Sequence, residues 1–289
     1  MTLASSRVST QLFGWRIKRT LRFLPAWLLL ALLAASMIYP MVFIGFTSLK
    51  TVTGYASDPV GPPLHPTLEN LQTVIARGLL GTNAVNSAII SVLSSLLILV
   101  ISCMTGFALT FLRFPFRKTL LLGIIGLLIQ PTALLMIPMV LIISNLGLLS
   151  TYPGISFVYT ALGIPFGTYL MYSYMQSVPR DLIDAARVDG APTLRILFQV
   201  VVPLVIPALV ALGALNFIGY WNEFLFALLI LQSGDQTTLI VSLATLQSEH
   251  FLNVPVIASG MVISIIPPLV VYAALHRRLF SGLTAGAVR

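Results

Sequence analysis

Apolar residues fill six stretches of this chain almost to the exclusion of charge, and shorter polar segments separate them. A helix crossing a bilayer core of about 30 Å needs roughly 20 such residues. The first stretch covers 23–49 and the second 82–112. From Thr119 to Pro179 there is no Asp, Glu, Lys or Arg, a run too long for one helix. Turn formers at Asn145-Leu146-Gly147 and Ser150-Thr151-Tyr152-Pro153-Gly154 divide it. The pattern therefore predicts a third span over 120–144 and a fourth over 154–176, followed by 201–231 and 254–275. The expected fold class is all-α: a polytopic membrane protein of six spans, with both termini on one side. Its membrane domain runs over 23–280, between tails at 1–22 and 281–289.

The spans are punctuated. Pro131, Pro138, Pro165, Pro207, Pro267 and Pro268 fall inside them, and each removes a backbone donor. Membranes tolerate such breaks where neighbouring helices or a watery cavity satisfy the freed groups, so a bundle is expected rather than separate anchors. The first stretch follows Arg16, Lys18, Arg19 and Arg22, as a signal peptide would. Its apolar part exceeds the usual 7–15 residues of a signal core, so it reads as a retained span.

Composition narrows the class. The 289 residues are 57% hydrophobic and 8% charged, against about 45–50% and 25% in soluble domains. An ordinary soluble enzyme and a disordered chain are both excluded. The net charge of +8 has a membrane explanation that does not require nucleic acid. Of the 16 Lys and Arg, all but Lys50 and Arg77 lie in four segments: the N-terminal tail, the loop with Arg113, Arg117 and Lys118, the segment with Arg180, Arg187 and Arg195, and the C-terminal tail. Basic loops stay in the cytoplasm, so both termini are expected there.

Several chemistries lack their residues. His65, His250 and His276 are far apart, the lone Cys103 sits in an apolar run, and no metal-ligand spacing occurs. A phosphate-binding loop needs Gly before Lys, whereas Lys18, Lys50 and Lys118 follow Ile, Leu and Arg. A self-sufficient secondary transporter would need ion-coupling residues in its spans, and a membrane-embedded enzyme a convergent nucleophile and base; neither set is evident. Energy for uphill movement is expected from a partner.

The polar segment over 177–200 is the most informative. Pro179 suits a first helical turn, Asp181 complements the positive helix end, and Gly190 suits the left-handed residue that ends a helix. A short helix is predicted over 179–189, and Pro192 restarts a second one. The first carries Leu182, Ala185, Ala186 and Asp189 on one side, a small-residue face shaped for a groove in another protein. The alternative, a helix lying on the membrane surface, calls for bulkier apolar residues and more Lys.

Here the chain resembles a known family. Asp184-Ala185-Ala186, three residues, Gly190, nine residues, then Val200-Val201-Val202-Pro203 looks like the EAA motif of bacterial ABC-importer permeases. That pattern reads Glu-Ala-Ala, three residues, Gly, nine residues, Ile-x-Leu-Pro; Asp184, Val200 and Val202 depart from it conservatively. His65-Pro66-Thr67-Leu68-Glu69-Asn70-Leu71, Asn86-Ser87, Gly147-Leu148 with Thr151, Trp221-Asn222-Glu223-Phe224 and the tail Gly282-Leu283-Thr284-Ala285-Gly286-Ala287-Val288 are similar to the carbohydrate, maltose-type subgroup. The resemblance implies a permease subunit without catalytic residues. It would pair with a second permease, two cytoplasmic ATPase subunits that hold ATP and Mg, and an extracytoplasmic solute-binding protein. The solute would be a di- or oligosaccharide, with a polyol or glycerol phosphate as the alternative. The segment with Leu182, Asp184, Ala185, Ala186, Arg187, Asp189 and Gly190 would be the coupling helix that docks in the ATPase.

Candidate path residues follow from position. Trp221-Asn222-Glu223 lies about 18–20 residues past Pro203, or about 27–30 Å along a helix, toward the outer face. An ionisable residue inside a span is a functional candidate by default. Asn222 and Glu223 are able to bond sugar hydroxyls and Trp221 to stack on a ring. The competing reading is an interfacial Trp beside a Glu that snorkels or meets the neighbouring permease. Asn216, and more weakly Gln130 and Asn145, share this ambiguity.

Overall fold

A computed structural model describes residues 5–76, 79–232, 236–249 and 253–284 of the chain. Helix α1 (Ser5–Ser48) is followed by short α2 (Val52–Ser57) and α3 (Glu69–Ala76). A π-helical turn at Leu79–Asn83 leads into α4 (Ala84–Phe111). Next come α5 (Arg117–Ile129), a 3-10 turn at Thr132–Leu135, α6 (Met136–Asn145), α7 (Tyr152–Met175), α8 (Arg180–Val188) and α9 (Thr193–Arg195). A π-helical stretch at Ile196–Val201 continues into α10 (Val202–Trp221), and α11 (Leu225–Ile230), α12 (Leu239–Glu249) and α13 (Val254–Thr284) complete the order. The described residues are helical or irregular, with no β-strand among them.

Five helical segments are long and apolar enough to cross a membrane: Pro25–Ser48, Gly81–Phe111, Tyr152–Met175, Thr193–Trp221 and Val254–His276. The sixth candidate is not one rod. Arg117–Ile129 and Thr132–Asn145 meet at 98°. Pro131 has no N–H to donate and pushes the residue before it out of the helical region; Gln130 is accordingly extended, at φ −75° and ψ 128°. The fifth span also ends sooner than expected, at Trp221, and α11 starts anew at Leu225. At the N-terminus the helix begins at Ser5, within the stretch expected as a tail.

The core forms where α4 packs on α7 and α10, and α10 on α13. Close approach of α4 to α7 depends on a small residue at position 106. A Cβ on Gly106 would lie 2.8 Å from the Met171 Cβ and 3.1 Å from the Tyr172 nitrogen. Hydroxyls inside the bundle bond back to their own helix: Ser94 to the Ile90 carbonyl, Thr110 to Gly106 and Thr160 to Ser156, each at 2.7 Å. By contrast α1 packs mainly on α13 and leaves Trp27, Leu28, Met37 and Tyr39 exposed, as lipid contact requires.

Polar pins hold the expected outer end. The buried Asn70 side chain donates to the Ser48 and Lys50 carbonyls at 2.9 and 2.8 Å, and Ser259 Oγ reaches the Ser48 carbonyl at 3.1 Å. These bonds tie α3 and α13 to the end of α1. Lys50 is itself buried and donates to the Asp58 carbonyl at 2.6 Å.

Candidate functional site

Two places gather the candidate residues, one at each end of the bundle. The first is α8. Pro179, extended at φ −60° and ψ 130°, stands at its N-terminus, Asp181 is in its first turn and Arg187 in its last, a charge order that suits the helix dipole. Gly190 has φ +75°. The Gly190 N–H bonds the Arg187 carbonyl and the Ala191 N–H the Ala186 carbonyl, both at 3.0 Å. That closes the helix with a left-handed residue that only Gly adopts without cost.

Ile183 roots this helix. Its side chain is buried in one apolar cluster with Ile98, Cys103 and Phe107 of α4, Met171 and Met175 of α7, and Ile196, Leu197, Val201 and Val205 before and within α10. Ala186 packs against the same cluster, so it serves the chain's own core rather than an open face. Arg187 adds a polar tether: Nη2 donates to the Phe111 carbonyl at 3.1 Å, and Nη1 pairs with Asp184 at 3.2 Å. On the opposite side Leu182, Asp184, Ala185, Val188 and Asp189 are exposed, Val188 at 88%. The bare face therefore mixes apolar and acidic residues. Sequence reasoning missed Ile183; its only signal was a large apolar residue among small and charged ones.

The second place is the break after α10. Glu223 is half-buried and accepts three hydrogen bonds: from Tyr159 Oη at 2.6 Å, from the Phe226 N–H at 2.9 Å and from the Ala227 N–H at 3.1 Å. Its carboxylate thus caps the N-terminus of α11 and holds it to α7. Tyr220 stacks on Tyr159, centroids 4.5 Å apart and planes at 9°, and its hydroxyl donates to the Tyr159 carbonyl at 2.7 Å. Tyr159 gave no signal in the sequence. Trp221 is 2% exposed; its Nε1 donates to the Ser264 carbonyl at 3.0 Å and its ring packs on Phe217. Asn222 is exposed and its amide nitrogen bonds the Ile218 carbonyl of its own helix at 2.8 Å. Asn216 is half-buried, and its amide nitrogen meets no hydrogen-bond partner among the described residues. Gln130 and Asn145 are exposed and lie apart from this group. The structure joins Glu223 to Tyr159 and Tyr220, and turns Trp221 toward α13.

The segment that follows is pinned to α4. Tyr152 Oη donates to the Asn86 side chain at 2.7 Å, the Asn86 amide to the Thr237 carbonyl at 3.0 Å, and the Leu239 N–H to Ser87 Oγ at 2.9 Å. The Asn83 and Ser242 side chains also bond. Asn86-Ser87 therefore anchors the start of α12.

Residues 98–284 match the family described as binding-protein-dependent transport system inner membrane component. The chain belongs to that family. The match takes in the second half of α4, α8 and the break after α10. Among relatives, the sulfoquinovosyl glycerol transport system permease protein SmoH of Agrobacterium fabrum is 34% identical over 272 residues, 94% of each chain. The arabinooligosaccharides transport system permease protein AraQ of Halalkalibacterium halodurans is 30% identical over 280 residues, 94% of this chain and 100% of that one. A chain from a bacterial ABC transporter that imports the acidic polysaccharide alginate superposes with a TM-score of 0.80 at 26% identity, over 91% of this chain and 97% of that one. The permease is thus a carbohydrate ABC-importer permease and a multi-pass inner-membrane protein.

Proposed function

We propose that the permease imports a di- or oligosaccharide as one half of an ATP-driven translocation path, and that a separate ATPase drives it through α8. The supporting observation is the two-sided character of that helix. Ile183 shares one apolar cluster with α4, α7 and α10, while Leu182, Ala185 and Val188 stand bare beside Asp184 and Asp189. A close-packed interior transmits displacement rather than absorbing it. Movement of α8 by a docked ATPase would pass through Ile183 to three spans at once, and Arg187 would carry it to the end of α4. ATP and Mg belong to two ATPase subunits in this reading, and a second permease and an extracytoplasmic binding protein complete the assembly. Because the segments that hold all Lys and Arg but Lys50 and Arg77 stay inside by the usual bias, both termini, the loop after α4 and α8 face the cytoplasm.

At the outer end, Glu223 acts first as a structural cap. Asn216 and Asn222 remain the polar groups available to a sugar, and Trp221 contributes packing. The test uses exposed positions, so folding is preserved. Leu182→Glu with Val188→Glu should abolish co-purification of the ATPase with a tagged permease while the second permease stays bound. Retention of the ATPase at wild-type stoichiometry would overturn the docking role.

A further inference from the structure

The loop between α4 and α5 reads Arg113-Phe114-Pro115-Phe116-Arg117-Lys118. With Thr119, Tyr172 of α7 and Leu121, it lines an open cleft of about 610 Å³. Three cations face this cleft and no carboxylate lines it. Among the described residues the ion pair on this side is Arg187 with Asp184, so Arg113, Arg117 and Lys118 are not neutralised by an acid. Arg113 and Arg117 also border a smaller cleft of about 90 Å³, where Asp184 is engaged by Arg187. The first turn of α5 carries Arg117 and Lys118 and no acid. Positive side chains at the positive end of a helix dipole repel it, and an anion relieves both.

The surroundings of the cleft are apolar. Phe116, at φ +61°, is 82% exposed, and Leu120 and Leu122 along α5 are exposed as well. Tyr172 beside cations at a span end suits the headgroup level of a membrane, where amphipathic aromatic rings gather. A soluble anion would leave this apolar rim bare, whereas acyl chains would cover it. We propose that the cleft binds the headgroup of an anionic phospholipid of the cytoplasmic leaflet. The phosphate sits among Arg113, Arg117 and Lys118, and the acyl chains run along Phe116, Leu120 and Leu122. The proposal rests on the cytoplasmic placement of this loop given above.

The test is native mass spectrometry of the full-length permease, purified with its accompanying subunits and titrated with phosphatidylglycerol or phosphatidylcholine. Two variants carry equal charge loss: Arg113→Gln with Lys118→Gln at the cleft, and Arg277→Gln with Arg278→Gln elsewhere. Arg113 and Lys118 are exposed, so the fold is retained. One surface cation changes lipid affinity by about fivefold. The cleft variant should lose roughly 25-fold in phosphatidylglycerol affinity, with phosphatidylcholine unchanged and the other variant near wild type. Equal affinity in all three proteins, or equal loss in both variants, would overturn the site. Displacement of the lipid by millimolar inorganic phosphate would reassign it to a soluble anion and overturn the lipid claim. The thiol of a Lys118→Cys variant, labelled in inverted but not in right-side-out vesicles, checks the placement separately. Labelling from outside would overturn the topology, whatever the lipid result.

Discussion

Replacing Glu223 by Ala separates a structural carboxylate from a sugar ligand. The wild-type carboxylate accepts from Tyr159 Oη, the Phe226 N–H and the Ala227 N–H at 2.6, 2.9 and 3.1 Å. Tyr159 is fully buried, so its hydroxyl is left without an acceptor, at about 1–3 kcal/mol. Loss of the helix cap adds about 1 kcal/mol. Glu223→Ala should therefore destabilise the permease by about 2–4 kcal/mol. Tyr159→Phe removes the donor and leaves the cap. In the double variant the orphaned hydroxyl no longer exists, so the cycle should show coupling of about 1–2 kcal/mol. Denaturation in detergent, followed by tryptophan fluorescence, reads these differences. A Glu223→Ala stability within about 0.5 kcal/mol of wild type, with the two substitutions additive and the KM for sugar raised, would make Glu223 a sugar ligand and not a structural cap.

Three further outcomes follow from particular residues. Gly190→Val forces a β-branched residue to φ +75°, costing about 1–2 kcal/mol locally, and should cut ATPase-coupled transport while the spans stay assembled, as co-purification of the second permease reports. Gly106→Leu should destabilise the bundle by about 1–3 kcal/mol or more, because its Cβ would meet Met171, whereas Gly123→Leu, with open space around it, should be near neutral in the same unfolding assay. The Gly61 N–H holds the Asp58 carboxyl below the usual carboxylate range, helped by the Val60 N–H and Lys50. Its contribution to the loop is present above an unfolded value of about 3.9 and lost as pH falls through the depressed folded value. Hydrogen-exchange protection of the loop over an Asp58→Asn variant, compared at equal pH, should thus be full at neutral pH and vanish in strong acid.

Hydropathy made the spans legible, because a bilayer rewards the same apolar length wherever it occurs. The termini of α8 were legible for a different reason: Pro179, Asp181 and Gly190 act within a few residues of backbone. What the pattern missed depends on tertiary partners. Pro131 was visible as a kink, but a turn of 98° needs neighbours that accept it. The break after Trp221 arises because Glu223 caps α11 while bonding Tyr159, a residue 64 positions away. Inside an apolar run that carboxylate looked like part of a continuing helix. Ala186 was expected on the partner face and packs inward, because Ile183 sets the rotation of α8.

Sugar import driven through α8 by a separate ATPase is open to a reconstituted transport assay. The most direct measurement is oligosaccharide uptake into proteoliposomes holding the permease, its partner permease, the ATPase and the external binding protein, with ATP supplied on the ATPase side. Sugar should accumulate against its gradient only with hydrolysable ATP, and Leu182→Glu with Val188→Glu should abolish that accumulation. Uphill uptake by the permease chain alone, or undiminished uptake in that variant, would contradict it.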